Sequence, residues 1–384
     1  MKKHSLTIAG YKAYYKTYFM LRLQEALLNT FGKAPAGSQL QLFIQYISKR
    51  FFGAYPAAIK LDITDSCNLR CKMCYAQNRG RDLPYAQILE IFQQLRGLPL
   101  RLDLLGGEPL LRKDIDQIIR YAKTYLTLKE IVLYTNGTQA TEELTHRLAN
   151  AGLDKAIVTF ISHNPNIHDS FTGTVDSWKK TIAGIKNFKK AGIKTFTFTA
   201  LHTENIKESK EISRFVITEL KAHPLFYQYV PQTKNDPLLA DPKMWNKVKH
   251  EVLCNYTPHH FSTIQKILTF CGRICLGGYY VLSIKINGDV NPCPFINDLY
   301  IGNVFKDNIW NIFANRYSSD RFCEFMTLPK ECIDCSYKYL CGGGCKAGNN
   351  IVYGNYLNKD CRCLGPWKES IRPENIIDKI PTFF

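Results

Sequence analysis

The stretch AAIKLDITDSCNLRCKMC, residues 57–74, determines the fold prediction. Residues 57–63 form a short, mainly apolar run that predicts a buried strand. Three cysteines, Cys67, Cys71 and Cys74, follow directly. In α/β folds the chemistry lies at the carboxyl ends of the strands. We therefore expect these thiols to mark a functional site at one edge of a sheet.

The pattern outside this stretch alternates strand-like and helix-like segments. Together they predict an α/β chain, namely a partial (β/α)6 TIM-like barrel over residues 56–235. The further strands are expected near residues 101–105, 130–134, 155–161, 194–200 and 225–230. The helices are expected near residues 84–97, 113–126, 141–151, 175–191 and 205–221.

Three further regions flank the predicted barrel. Residues 1–55 have helical patterning and predict an N-terminal helical extension, and residues 236–270 predict a helical linker. Residues 271–384 are rich in cysteine and predict a small C-terminal domain, with a short strand over 280–286 and a turn over 287–289. Two readings of residues 1–55 stay open: helices packed on the barrel, or a basic amphipathic segment that contacts a membrane surface.

Composition narrows the class of protein. The chain has 384 residues, and its 45% hydrophobic content excludes a disordered protein. Neither a secretory signal nor a membrane-spanning segment is evident, so we expect a cytoplasmic protein, with peripheral membrane contact through residues 1–55 kept as an alternative. Because cytosolic thiols stay reduced, the 14 cysteines are expected to bind metal rather than form disulfides.

The spacing of the first three cysteines suits an iron–sulfur site. Three thiolates within eight residues can bind one 4Fe–4S cube and leave its fourth iron open. An open coordination position is how a metal site admits a substrate. The alternative is a three-cysteine zinc site.

The Cys-x3-Cys-x2-Cys spacing, followed by Gly106-Gly107-Glu108-Pro109, resembles the radical S-adenosylmethionine (radical SAM) superfamily. The resemblance implies that Cys67, Cys71 and Cys74 hold the catalytic cluster. It also implies that the segment Gly106, Gly107, Glu108 and Pro109 meets the amino group of S-adenosylmethionine.

Two later strand ends extend the resemblance. In relatives, residues at the positions of Asn136 and Ser162 help to bind the ribose and the methionine carboxylate of S-adenosylmethionine. Many relatives carry an arginine near the segment that holds Thr172, and this chain has none there, so the partner of the methionine carboxylate stays open.

The C-terminal cysteines resemble the SPASM domain, which binds two auxiliary iron–sulfur clusters. The resemblance assigns Cys275, Cys293 and Cys345, with Cys271, to the first auxiliary cluster. It assigns Cys332, Cys335 and Cys341, with Cys361 or Cys363, to the second. The alternative is a zinc ribbon in a nucleic-acid-binding protein.

The whole pattern predicts a radical enzyme with three 4Fe–4S clusters and S-adenosylmethionine. Its expected partners are an external one-electron reductant, such as flavodoxin or ferredoxin, and a substrate. A ribosomally made peptide or a protein side chain is the favoured substrate. The alternative is a small molecule or lipid precursor, as in tetrapyrrole, redox-cofactor or membrane-lipid biosynthesis.

Net charge agrees with this prediction. The formal charge of +17 invites an acidic partner, but it counts every cysteine as neutral. Three thiolate-ligated clusters would lower it to roughly +12. The remainder still permits an acidic substrate or a membrane surface, and nucleic acid is not expected.

Overall fold

The structure is a computed structural model, and it describes most of the chain after the N-terminal extension. The described residues are 56, 58–75, 80–97, 100–255, 275, 277–278, 281–335 and 342–366. The predicted helical extension at residues 1–55, Cys271 and Cys341 therefore lie outside the described residues.

A single nine-stranded sheet organises the described residues, in the order β6-β5-β4-β3-β2-β1-β7-β8-β9. The first seven strands run parallel, and β8 and β9 add antiparallel pairs. The strands are β1 Ala58–Thr64, β2 Arg101–Gly106, β3 Glu130–Thr135, β4 Lys155–Thr159, β5 Lys194–Leu201, β6 His223–Gln228, β7 Val281–Ile284, β8 Asp289–Asn291 and β9 Gly302–Asn303. The α/β prediction with a parallel core is confirmed.

Helices follow each of the first six strands, as βα units require. They are α1 Tyr85–Gln94, α2 Ile115–Tyr125, α3 Glu142–Ala151, α4 Pro165–Thr172, α5 Ser177–Lys190, α6 Ser209–Thr218 and α7 Pro242–Asn255. Three more accompany the C-terminal strands: α8 Ile309–Asn315, α9 Asp320–Met326 and α10 Lys346–Tyr353.

Helix α4 is absent from the sequence prediction, although its end signals are plain. Asn164 caps the first turn by accepting a hydrogen bond from the Asn166 amide at 3.0 Å, and Pro165 takes the first helical position. Gly173 ends the helix at a φ of 68°. The segment spans only eight residues, so its apolar periodicity is too short to recognise.

The two faces of the sheet differ in chemistry. On β1, Ile59, Leu61 and Ile63 are fully buried against the helices in the main hydrophobic core. The alternate residues face the other side, where Lys60 pairs with Asp103 at 2.8 Å and lies over the Tyr134 ring at 4.3 Å. This second face is therefore polar at β1 and β2, where it can line a substrate site, whereas a separate apolar cluster covers it from β3 to β6.

Strand β7 joins the barrel sheet from the C-terminal region. The sequence predicts a strand over 280–286, but not that it would pair with β1. Ala58 lies opposite Val281 and Leu61 opposite Ile284, in parallel register. The turn at Gly288, with a φ of 84°, then returns the chain as β8. The cysteine-rich region thus continues the same sheet as the barrel.

Within the part of the chain that the structure describes, no helix combines the length and the apolar character needed to span a bilayer.

We predict that His168 makes the fold acid-sensitive. Burial lowers the pKa of His168 to about 4, and its Nε2 has no hydrogen-bond partner. An unfolded histidine takes up a proton below about pH 6.5, so stability is full above that pH and falls as the pH drops towards 4. Between pH 7 and 5 the histidine should cost about 2 kcal/mol of unfolding free energy.

Denaturant titrations at the two pH values measure this cost. The variant His168→Gln should lose less stability between them than the wild type. The matched control is His146→Gln, which changes an exposed histidine on α3 and should keep the wild-type pH dependence. An unchanged loss in His168→Gln would contradict the assignment.

Candidate functional site

The loop after β1, residues 65–75, holds the first three cysteines and is here called the cysteine loop. Cys67 and Cys71 are partly buried, and Cys74 is exposed. The loop is fixed by backbone hydrogen bonds to α4, because the Arg70 amide donates to Thr172 O and the Lys72 amide donates to Phe171 O, each at 2.9 Å. These two bonds tie the cysteine loop to the end of α4.

The three thiols of this loop are electrostatic neighbours. Burial raises the pKa of Cys71 to about 12, and the Cys74 and Cys67 sulfurs add to the rise. Burial likewise raises the pKa of Cys67, with Glu108 and Cys74 contributing. The structure thus brings together the three predicted ligands. Thiols so placed gain most by binding a cation, since their ionised forms are otherwise disfavoured.

The loop over residues 106–108, here called the glycine loop, packs directly on the cysteine loop. The Gly107 amide donates to Thr64 O at 2.8 Å, and the Glu108 amide donates to Ser66 O at 2.7 Å. A Cβ on Gly107 would lie 2.1 Å from Ser66 O, and one on Gly106 would lie 2.0 Å from Thr64 O. Only glycine allows this approach, and it leaves the backbone of the glycine loop beside the thiols.

Glu108 lies fully buried beneath these loops. Its carboxylate accepts hydrogen bonds from the Thr135 hydroxyl and the Asn136 amide, both at 2.6 Å, and from the Leu110 amide at 3.0 Å. Burial raises its pKa to about 7 despite these donors. The family resemblance implies that the segment of Glu108 meets the cofactor's amino group, and these three hydrogen bonds tie its side chain to the end of β3 and to the turn after β2. Pro109 begins the short 3-10 turn that follows.

Asn136 connects the end of β3 to the cysteine loop. Its Nδ2 donates to Asn68 Oδ1 at 3.0 Å, and its Oδ1 accepts the Thr138 amide at 2.9 Å. Ser162, after β4, is buried and accepts the Asn164 amide at 3.0 Å. Both predicted residues therefore lie at the same sheet edge as the thiols, and both also brace its loops.

Thr172 does not supply a group for a carboxylate ligand. Its hydroxyl is buried, donates to His168 O at 3.0 Å and lies 2.6 Å from the Ser177 hydroxyl. Its carbonyl accepts the Arg70 amide. Thr172 therefore holds the cysteine loop at Arg70 through its backbone carbonyl.

A second thiol group forms from Cys275, Cys293 and Cys345. Burial raises the pKa of Cys275 to about 11, with Cys345 as the next cause. Burial also raises the pKa of Cys293, followed by the effects of Cys275 and Cys345. Residues 70 positions apart in sequence are thus close in space, in the grouping that the sequence predicts for the first auxiliary cluster.

Cys345 has additional partners that are not predicted from the sequence. Its amide donates to Asp360 Oδ2 at 2.7 Å, and its sulfur accepts the Gly348 amide at 3.4 Å at the start of α10. Arg362, 2% exposed, lies beside the same sulfur and lowers the pKa of the thiol, although burial still raises it overall. The sequence offers only the motif Asp-Cys-Arg-Cys at residues 360–363, and the contact with Cys345 follows from packing.

The remaining C-terminal cysteines are only partly placed. Cys332 is buried, and its carbonyl accepts the Cys335 amide at 3.1 Å, so these two lie in one turn. Burial raises the pKa of Cys361 to about 11, with Cys345 among the later causes. The Cys363 sulfur accepts the Gly365 amide at 3.3 Å. The choice between Cys361 and Cys363 as a ligand stays open.

Zinc is the alternative for both thiol groups. Four ligands of a single zinc ion must converge within about 2.3 Å of it. Among the described residues, no set of three or more His, Cys, Asp or Glu side chains is arranged to hold a metal ion. A cube spreads its thiolates over separate irons, so its ligands lie farther apart than those of one zinc ion.

Comparison with known families identifies the two cysteine regions. The profile described as Radical SAM superfamily matches residues 61–216. The profile described as an iron-sulfur cluster-binding domain, SPASM, matches residues 275–336. The chain is a radical SAM protein with a SPASM domain. The two domains imply 4Fe–4S clusters and S-adenosylmethionine as cofactors.

Several known proteins resemble this radical SAM chain. The AdoMet-dependent heme synthase of Methanosarcina barkeri is 26% identical over 342 residues, which cover 80% of this chain and 96% of that protein. The AdoMet-dependent heme synthase of Oleidesulfovibrio alaskensis is 25% identical over 346 residues, which cover 79% of this chain and 86% of that protein.

Solved structures share the fold. Streptococcus suis SuiB bound to S-adenosylmethionine has a TM-score of 0.62 at 18% identity, over 91% of this chain and 88% of that one. The structure of anSMEcpe with bound AdoMet has a TM-score of 0.65 at 16% identity, over 80% of this chain and 94% of that one.

We predict that Gly107→Ala abolishes most S-adenosylmethionine binding. The added methyl group would push the glycine loop off Ser66 O, and the backbone that flanks the thiols would shift. Affinity measured anaerobically by equilibrium dialysis should fall about tenfold or more, as expected for losing one or more hydrogen bonds. The control Gly192→Ala adds a methyl group in open space and should bind normally. Normal S-adenosylmethionine binding by Gly107→Ala would contradict a role of the glycine loop in cofactor binding.

Proposed function

We propose that the protein reductively cleaves S-adenosylmethionine to a 5′-deoxyadenosyl radical and uses it to abstract hydrogen from a substrate. The observation that carries the proposal is the packing of the cysteine loop on the glycine loop at the carboxyl edge of β1 and β2. It places three thiols beside a backbone that a ligand can approach closely.

The chain's own residues would bind and orient the cofactors. Cys67, Cys71 and Cys74 would hold the catalytic cluster, which when bound supplies the electron that splits S-adenosylmethionine. Gly106 and Gly107 would offer backbone groups to the methionine amino group. Glu108 would act as a positioning residue, because its carboxylate ties the glycine loop to the end of β3.

Two further clusters complete the proposal, for three in all. Cys275, Cys293 and Cys345, with Cys271, would hold the first, and the neighbouring sulfurs of the three described members support this grouping. Cys332, Cys335 and Cys341, with Cys361 or Cys363, would hold the second. An external one-electron reductant, such as flavodoxin or ferredoxin, would supply electrons.

The same proposal assigns a role to each region of the chain. Residues 56–235 would form the radical SAM barrel, 236–270 a helical linker and 271–384 the auxiliary-cluster domain. Strand β7 belongs to the last of these and lies beside β1 in parallel register, which ties the auxiliary-cluster domain to the strand that leads into the cysteine loop. The role of residues 1–55 would be packing or membrane-surface contact.

A peptide or protein side chain is the substrate we favour. The cavity at this edge, between the cysteine loop and the hairpin of β7 and β8, has three carboxylates and two cations in its described lining. Both cations already face carboxylates, as with Asp65 and Arg81 at 3.4 Å. Such a lining suits a polar chain that carries no net negative charge. Two proteins of this fold also have structures with peptides bound: SuiB with precursor peptide SuiA and anSMEcpe with Cp18Cys peptide.

Tetrapyrrole chemistry is the second candidate, because the heme synthase relatives match over nearly their whole length. A tetrapyrrole with several carboxylates would need unpaired cations in the cavity. Both cations of the described lining, Lys285 and Arg81, already face carboxylates. Incubation with a carboxylate-bearing porphyrin discriminates: a chemically altered porphyrin, detected by mass spectrometry, would favour this candidate over peptide modification.

We predict that replacing Cys67, Cys71 and Cys74 together by alanine abolishes 5′-deoxyadenosine formation. Dithionite-reduced wild type should form it and carry about 12 iron atoms per chain, and the triple variant should retain about 8. Chromatography of the nucleoside and iron analysis measure both values. The control is Cys323→Ala, which removes a thiol outside the predicted ligands and should behave as wild type. Cleavage by the triple variant would refute the assignment.

We also predict that Arg362 raises the reduction potential of the first auxiliary cluster, because a buried cation beside Cys345 stabilises the more negative reduced state. In Arg362→Gln, the ratio of reduced to oxidised cluster at the wild-type midpoint should fall about tenfold, as for the loss of one charged hydrogen bond. Redox titration followed by electron paramagnetic resonance measures it.

Two controls separate charge from structure. Arg362→Lys keeps the cation and should recover most of the potential, whereas Arg321→Gln removes an exposed arginine bonded to Asp298 and should leave it unchanged. Equal potentials in the glutamine and lysine variants would show that charge is not the cause.

A further inference from the structure

A cavity of about 280 Å³ lies where the barrel meets the SPASM hairpin of β7 and β8. Its lining includes Gly106 of the glycine loop and Tyr75 of the cysteine loop on one side, and Lys285 and Asp289 on the other. It therefore adjoins the place where the radical would form and the hairpin that leads to Cys293. None of the lining residues on the hairpin side is a site residue predicted from the sequence.

Asp62 lines this cavity, and one of its two carboxylate oxygens makes no hydrogen bond. The residue is 6% exposed, and its Oδ2 faces the Lys285 ammonium at 3.5 Å. Its Oδ1 is buried and has no hydrogen-bond partner. A buried carboxylate oxygen without a donor is costly, so such a group calls for a ligand.

Lys285 cannot turn to satisfy that oxygen without losing its other contacts. Its Nζ donates to Pro294 O at 2.7 Å and lies 4.8 Å from the centre of the Tyr75 ring. The ammonium is thus held by three partners, one of them a residue next to Cys293. Asp62 therefore lines the cavity with its Oδ1 still unpartnered.

The charge of the lining indicates the kind of ligand. Asp62, Asp65 and Asp289 supply three carboxylates, and Lys285 and Arg81 supply two cations. The described lining carries a net charge of one negative unit. Burial also raises the pKa of Asp62 above its ordinary range, against the lowering effect of Lys285. One additional positive group near Oδ1 would balance both effects.

We propose that this cavity is a substrate subsite, in which Asp62 Oδ1 accepts a charge-assisted hydrogen bond from an ammonium or guanidinium group of a peptide. The cavity can hold a side chain of lysine or arginine size. The proposal rests on the proposed peptide-modifying function and names the chemical group that the site selects.

Affinity selection tests the subsite directly. The full-length, cluster-loaded protein is incubated anaerobically with S-adenosylmethionine and a random library of end-blocked decapeptides, and retained peptides are read by mass spectrometry. Wild type should enrich lysine- or arginine-containing peptides. In Asp62→Asn this enrichment should fall about tenfold, the effect of losing one charged hydrogen bond. In Lys285→Gln it should rise, because a competing cation is removed.

Asp289→Asn is the matched control. It removes the same charge from the same lining, but the Asp289 oxygens already accept from Asn303 and Asn287, at 2.9 and 2.7 Å. It should keep most of the enrichment. An equal loss in Asp289→Asn would overturn the role of Asp62, as would wild-type enrichment in Asp62→Asn.

Two more outcomes bear on what occupies the cavity. A tenfold loss of S-adenosylmethionine affinity in Asp62→Asn would overturn the proposal by assigning the cavity to the cofactor. An absence of any enriched peptide, in wild type that still forms 5′-deoxyadenosine, would overturn the subsite and leave the radical chemistry intact. Failure to form 5′-deoxyadenosine would instead refute the proposed function, with the library result still deciding what the cavity binds.

Discussion

Strand β1 is hydrogen-bonded on both edges, and the positions of the cysteine loop, the glycine loop and the SPASM hairpin depend on that pairing. On one side it hydrogen-bonds to β2, which ends in the glycine loop, and on the other to β7, which leads into the SPASM hairpin. Its own end becomes the cysteine loop. The cysteine loop, the glycine loop and the SPASM hairpin are therefore all attached to one strand of seven residues.

Electrostatics at the two thiol groups differ because their surroundings differ. The cysteine loop has backbone carbonyls and amides around it, and the nearest carboxylate, Glu108, is occupied by three donors. The Cys345 group has a buried ion pair beside it, in which Arg362 and Asp360 contact each other at 3.0 Å. Such a pair fixes a positive charge near sulfur and costs little once both partners are satisfied. The second site is accordingly the one whose potential the protein can tune by charge.

Much of this architecture can be predicted from the sequence, because strong local patterns determine it. The apolar runs locate β1 to β6 within a few residues, and the spacing of Cys67, Cys71 and Cys74 indicates their common loop. Pairing between β1 and β7 is different, since it joins residues more than 200 positions apart and leaves no periodic signal. The surroundings of Asp62 depend on that pairing, because Lys285 directly follows β7. The contact of Arg362 with Cys345 depends on separate packing of the C-terminal loops, and sequence patterns reveal neither arrangement.

The late arrival of β7 also has a consequence for biosynthesis. The chain emerges from the ribosome in order, so β1 can pair with β2 once residue 106 is made, but its other edge stays open until residue 284. An open edge is a template for pairing with other chains. During that interval the nascent protein exposes its most important strand, and aggregation competes with folding. The predicted catalytic ligands are complete by residue 74, whereas Cys275, Cys293 and Cys345 meet only near the end of synthesis.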